Sequence, residues 1–161
     1  MEKKKHKYTE QEAYQRLSAL CAMSEYCAHD MMKKMKNWEL PEGCEERVVS
    51  RLVKEGFIDE GRYAKAFVRD KFRYNHWGRV RIEQELKMRK ISQMNREEAI
   101  KEIEEGDCLE ALKEMIEKKR PSVKGKNEYE IRGKLIRFAL GRGFAMEDVM
   151  KVVGSLDECM E

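Results

Sequence analysis

The sequence has little of what most chemistries require. Of 161 residues only 3 are histidine, and His6, His29 and His76 are scattered. There is no G-x-x-x-x-G-K-[ST] phosphate loop and no H-E-x-x-H, so neither a P-loop nucleotidase nor a zinc peptidase is indicated. Carboxylates are abundant, but no pair is marked out as general acid and base. The 5 cysteines, Cys21, Cys27, Cys44, Cys108 and Cys159, are odd in number and include no C-x-x-C pair. That pattern fits a reduced, cytoplasmic chain and not a disulfide framework. Cys21, Cys27 and His29 have the wrong spacing for zinc. No apolar run nears the roughly 20 residues needed to span a bilayer. The basic stretch from Met1 to Lys7 is not followed by an apolar segment, so it does not read as a signal peptide. The expectation is a cytoplasmic, non-enzymatic chain with no cofactor, no metal and no membrane contact.

Strands lack a signal too, because no segment alternates β-branched residues with period two. What remains is helix. Thr9 with Glu12, Asn95 with Glu98, and Asn127 with Glu130 have capping-box spacing. Ser24 is a candidate cap for the second helix, Asp59 for the fourth and Asp107 for the seventh. Pro41 fits the first turn of the third helix, with Glu42, Glu45 and Glu46 favourable near its positive end. Gly106 is read as the end of the sixth helix, and residues 121–126 as a linker. The chain therefore reads as all-α, with about nine short helices in groups of three. The expected units are a basic tail over 1–8 and three-helix repeats over 9–56, 57–106 and 107–161. One unit alone has too little core, so neighbours should pack on each other.

Internal self-similarity supports the repeat. Val48, Leu52, Gly56 and Phe57 recur as Ile82, Leu86, Lys90 and Ile91, and again as Leu135, Ala139, Gly143 and Phe144. Upstream, Trp38 takes the place of Phe57 in a weaker copy. Gly56 follows Leu52 by one helical turn, which suits a helix-ending residue with positive φ. Phe57, Ile91 and Phe144 are expected at equivalent buried positions.

The net charge of +3 is too small to point to nucleic acid, but its distribution is uneven. Residues 69–90 hold 8 basic and 3 acidic side chains, and residues 118–142 hold 9 basic and 2 acidic. Between them, residues 96–117 hold 3 basic and 9 acidic. Solvated helix faces would account for such blocks, and so would basic surfaces that meet phosphate. Two candidate interaction surfaces follow. The first comprises Lys71, Arg73, Tyr74, Arg79, Arg81, Lys87, Arg89 and Lys90, with His76 and Trp77 among them. The second comprises Lys118, Lys119, Arg120, Arg132, Lys134, Arg137 and Arg142. Trp77 reads first as a core anchor between repeats and second as a base-stacking platform. Asp59 reads first as a helix cap and second as a partner contact.

Two segments resemble the RecX family of bacterial recombination regulators. One is Leu52-x-x-x-Gly56-Phe57-Ile58-Asp59-Glu60-x-Arg62-Tyr63-Ala64-x-x-Phe67-Val68. The other is Trp77-Gly78-x-x-x-Ile82-x-x-Glu85-Leu86-x-x-x-Lys90-Ile91. Glu60 stands where the family usually has a second Asp, and Lys90 where it usually has Gly. The resemblance implies tandem three-helix repeats in an elongated, curved molecule, and a monomer is expected. It also implies binding to the filament that the RecA recombinase forms on single-stranded DNA, with inhibition of ATPase and strand exchange. Some family members contact DNA directly, single-stranded or double-stranded. The competing reading is a stand-alone helical DNA-binding module such as a transcription regulator. The helix after Gly78 would then offer Arg79, Arg81 and Gln84 to bases, although no dimer seam is evident.

Overall fold

Apolar residues at helical spacing close into nine α-helices in the computed structural model, which describes residues 7–158. They are α1 (Glu10–Met23), α2 (Ala28–Met35), α3 (Cys44–Lys54), α4 (Glu60–Arg73), α5 (Arg79–Met88), α6 (Gln93–Ile100), α7 (Glu105–Lys119), α8 (Glu128–Gly141) and α9 (Met146–Glu158). A short 3-10 turn, Arg120–Ser122, follows α7. No strand occurs among the described residues, and no helix among them is long and apolar enough to cross a membrane. Residues 1–6, including His6, and Cys159 lie outside the described residues.

Three caps stand where the sequence placed them. The side chains of Thr9, Asp59 and Asn127 accept from the N–H groups of Glu12, Arg62 and Glu130 at 3.2, 2.9 and 2.9 Å. Four other boundaries differ from expectation. Ser92, not Asn95, caps α6, its hydroxyl accepting from the Asn95 N–H at 3.2 Å. Gly106 and Asp107 lie inside the first turn of α7, because α6 has already ended at Ile100. Pro41 precedes α3, and its carbonyl accepts from the Cys44 N–H at 3.1 Å, so the turn before the helix absorbs it. Ser24 closes α1, and α2 starts after Cys27. Cys27 is fully buried in the core of the neighbouring unit, and that burial sets the start of α2 in place of cap preference.

The helices pack as triads, α1–α3, α4–α6 and α7–α9, with all extensive helix–helix packing inside a triad. Leu17, Met31, Met35, Val48 and Leu52 fill the first core, closed by Ile58. The second and third triads share one core, running from Ala64, Val68, Ile82 and Leu86 into Leu112, Ile116, Leu135 and Val149. Packing of this kind, unit on unit in chain order, is that of a repeat array.

The repeat is clearest at three helix ends. In each, the αL residue donates to the carbonyl three back and the next residue donates five back, which is a Schellman motif. The pairs are Gly56 to Val53 with Phe57 to Leu52, Lys90 to Lys87 with Ile91 to Leu86, and Gly143 to Leu140 with Phe144 to Ala139. The φ values of Gly56, Lys90 and Gly143 are 79°, 59° and 89°. The motif does not make the three following side chains equivalent. Ile91 and Phe144 are buried, whereas Phe57 is half-buried, edge-on to Tyr14, and Ile58 enters the core instead. The reason is position in the triad. Caps after α5 and α8 open inside a unit, but the cap after α3 opens onto the connection to the next unit. Trp38 follows α2, the second helix of its unit, and so stands nearer to Ile91 and Phe144 in the three-helix frame.

Around the buried Cys27, the first two units meet through polar contacts. Glu60 Oε1 accepts from the Ala28 N–H at 3.2 Å, and Arg62 pairs with Glu25 at 2.6 Å. Arg62 also donates to the Gly56 and Phe57 carbonyls at the end of α3. Burial, reinforced by Asp30 and Asp59, pushes the Glu60 carboxyl above its ordinary range, and its Oε2 is buried without a partner.

Two predictions follow from these local features. Lys90 is exposed and carries the αL strain that glycine carries at the other two caps, so Lys90→Gly should raise stability by about 0.5–1 kcal/mol, measured by urea unfolding. A raised carboxyl pKa contributes stability in acid and loses it as pH rises through the folded-state value. Glu60→Gln should therefore raise the melting temperature at neutral pH. The advantage should vanish in acid below the ordinary value of 4.5, where Glu60 is itself neutral.

Candidate nucleic-acid and partner interface

The two basic blocks are far apart in sequence and meet at one joint. No side chain caps the N-terminus of α5. Its free donors instead meet the last carbonyls of the α8 end. The Gly78 N–H donates to Arg142 O at 2.8 Å, and the Val80 and Arg81 N–H groups donate to Gly143 O at 3.0 and 3.4 Å. The positive end of one helix thus faces the negative end of another, and each satisfies orphan groups of the other. A Cβ at Gly78 would overlap the Gly143–Phe144 backbone, and one at Gly143 would overlap Arg81, so this approach requires both glycines. Beside it, Arg79 Nη2 bonds Asp148 Oδ2 at 2.8 Å. Asp148 is 3% exposed, and its hydrogen bond pushes the Arg79 guanidinium pKa further up. Cys108 lies against the same carboxylate, and burial raises its thiol.

The joint assembles a cationic ridge. Trp77 is half-buried against the shared core and edge-on to Phe67. The Arg81 guanidinium stands 4.0 Å from its ring centroid and the Lys71 ammonium 4.9 Å. Trp77 is therefore a core anchor whose ring already carries cations. Across the joint, Phe138 has Lys119 at 5.0 Å and Arg142 at 5.5 Å. A cleft of ≈ 290 Å³ beside Phe138 is lined by His76, Ala111, Glu114, Met115, Lys118 and Lys119. His76 sits there with a φ of 56°, a strained conformation of the kind that clusters at functional surfaces.

The structure thus places Lys71 and Arg81 on Trp77 at one side of the joint, and Lys119 and Arg142 on Phe138 at the other, with Lys118 beside Lys119 in the cleft. It does not bring all the candidates there. Lys87 and Lys90 are exposed at the other end of α5. Arg89 is half-buried, bonded to Glu85 at 2.8 Å and lying over Phe67. Arg120 pairs with Glu128 at 2.9 Å, and Lys134 with Glu130 at 3.5 Å. Arg132 and Arg137 line a separate trough beside Tyr129. Arg73 and Tyr74 are exposed at the end of α4. Arg79 serves the joint, and Asp59 serves as a cap. Sequence reasoning missed Phe138 and Asp148. Phe138 precedes Arg142 by one helical turn, which is a readable signal. Asp148 had none, since its partner lies 69 residues away.

Comparison with known proteins agrees with this architecture. The family model for RecX, second three-helix domain, matches residues 59–100, and that for RecX, third three-helix domain, matches residues 105–153. The regulatory protein RecX of Vibrio parahaemolyticus is 32% identical over 124 residues, spanning 77% of this chain and 77% of that protein. The regulatory protein RecX of Pseudomonas entomophila is 27% identical over 139 residues, spanning 86% and 87%. A crystal structure of regulatory protein RecX superposes with a TM-score of 0.81 at 21% identity, covering 91% of this chain and 71% of that one. A crystal structure of RecX from Lactobacillus salivarius gives 0.79 at 16% identity, covering 92% and 96%. At these identities the solved structures speak for the fold alone.

The joint predicts an asymmetric response. Arg79→Ala strands a buried carboxylate and should cost about 2–3 kcal/mol, while Asp148→Ala leaves an arginine that can still reach water and should cost less. Urea unfolding of the two variants checks the order.

Proposed function

The chain belongs to the RecX family, and we propose on that footing that it regulates recombination by binding the RecA–single-stranded DNA filament and inhibiting its ATPase and strand exchange. The observation that supports contact with nucleic acid is the pair of cation-bearing aromatic rings at the joint, Trp77 with Lys71 and Arg81 and Phe138 with Lys119 and Arg142, with Lys118 in the adjoining cleft. Lysine and arginine neutralise phosphate without reading sequence, so the contact should be weakly sequence-specific and sensitive to salt. The repeat array adds a second support. A rigid string of units can touch more than one protomer of a filament, and linked weak contacts add through effective concentration. Filament should therefore be bound more tightly than free RecA.

The test uses exposed cations that form no ion pair among the described residues. Lys118, Lys119 and Arg142 meet that condition, whereas Arg79 and Arg89 are bonded to carboxylates and would confound folding with binding. Reversal to Glu at all three positions should leave the melting temperature nearly unchanged, since exposed charges contribute little to stability. It should weaken inhibition of RecA ATPase on single-stranded DNA. It should also flatten the salt dependence of DNA binding, by about 2 in the log–log slope if each cation meets one phosphate. A folded triple variant that inhibits as well as wild type would show that the ridge is the wrong face. Wild type that binds DNA yet leaves RecA ATPase unchanged would favour the stand-alone DNA-binding module.

A further inference from the structure

The third unit carries an apolar trough that the ridge does not use. Tyr129, Gly133, Ile136 and Arg137 share one face of α8, at spacings of four, seven and eight. Tyr129 is 86% exposed. On α9, Met146 and Met150 are one turn apart and both exposed. The trough measures ≈ 490 Å³ and is lined by Tyr129, Gly133, Ile136 and Met150 together with Asn127, Glu130, Arg132 and Arg137. Gly133 is the informative residue. It sits inside a helix, where glycine costs about 1 kcal/mol against alanine. It is not among the glycines with positive φ, and a Cβ there would meet nothing closer than Arg137 Nη1 at 3.7 Å. Neither backbone nor internal packing requires glycine. Its effect is to leave the trough open there.

We propose that this trough docks an acidic protein segment that inserts one aromatic or branched aliphatic side chain over Gly133. The apolar part of the lining suits such a side chain, and methionine adapts to its shape. Arg137 suits a flanking carboxylate, as a bidentate charge-assisted donor. A nucleic-acid strand would use only the arginine, whereas the Ile136 and Met150 surfaces suit an apolar protein side chain. The occupant differs from that of the ridge, and the inference stands apart from the filament reading.

The experiment needs no recombinase. Methyl-labelled full-length protein is titrated with three probes: a short Glu- and Asp-rich peptide bearing one central Phe, the same peptide with Ala in place of Phe, and oligo-dT. The Ile136 and Met150 methyl signals should move with the Phe peptide, at least about tenfold less tightly with the Ala peptide, and not with oligo-dT. Gly133→Leu should abolish the peptide response while its melting temperature equals or exceeds that of wild type, because leucine is the better helix former and the space is open. Arg137→Glu should weaken the response without loss of fold. No movement of these methyls with the peptide, an equal response to oligo-dT, or wild-type affinity in a folded Gly133→Leu variant would each overturn the proposal.

Discussion

Helix α5 has no side chain to cap its first turn, and the end of α8 supplies carbonyls in its place. Much of the arrangement depends on that exchange. It fixes the third unit against the second at hydrogen-bond distance, and it works only because glycine stands on both sides. The Arg79–Asp148 pair adds a directional contact that a sliding interface would break. The continuous apolar core around it joins the two triads.

The other junction is built differently. Between the first and second units the contacts named are Glu60 to the Ala28 N–H, Arg62 to Glu25, and Arg62 to the carbonyls that end α3. Glu60 Oε2 and Glu25 Oε2 are buried there without partners. Unsatisfied carboxylate oxygens cost free energy, and Cys27 is the only residue of the first triad placed in the shared core. The two junctions therefore rest on different chemistry, a shared apolar core at one and polar contacts around Cys27 at the other.

The candidate cations divide by the same physics. Arg79, Arg89 and Arg120 lie partly buried and close ion pairs with neighbouring carboxylates. Lys118, Lys119 and Arg142 are exposed, two of them flanking Phe138. A basic block in the sequence therefore mixes side chains that hold the chain together with side chains that can face a partner. Only the positions of the carboxylates separate the two kinds.

Much of the helical plan is local and was legible. Thr9, Asp59 and Asn127 cap helices because their oxygens reach an N–H three residues on, and Gly56 and Gly143 end helices because they alone lack a Cβ that objects to positive φ. The spacing of Leu52 to Gly56 and Ala139 to Gly143 repeats for the same reason. Tertiary structure decided what local rules leave open. Cys27 displaced the start of α2 because its burial in the next unit outweighs the capping preference of Ser24. Phe57 stayed half-exposed because its turn leads out of a triad. The ridge exists because α8 meets α5 end to end, and Gly133 opens a trough because α9 lies beside it. Caps and turns are written in a few consecutive residues, whereas a surface is written in residues that only packing brings together.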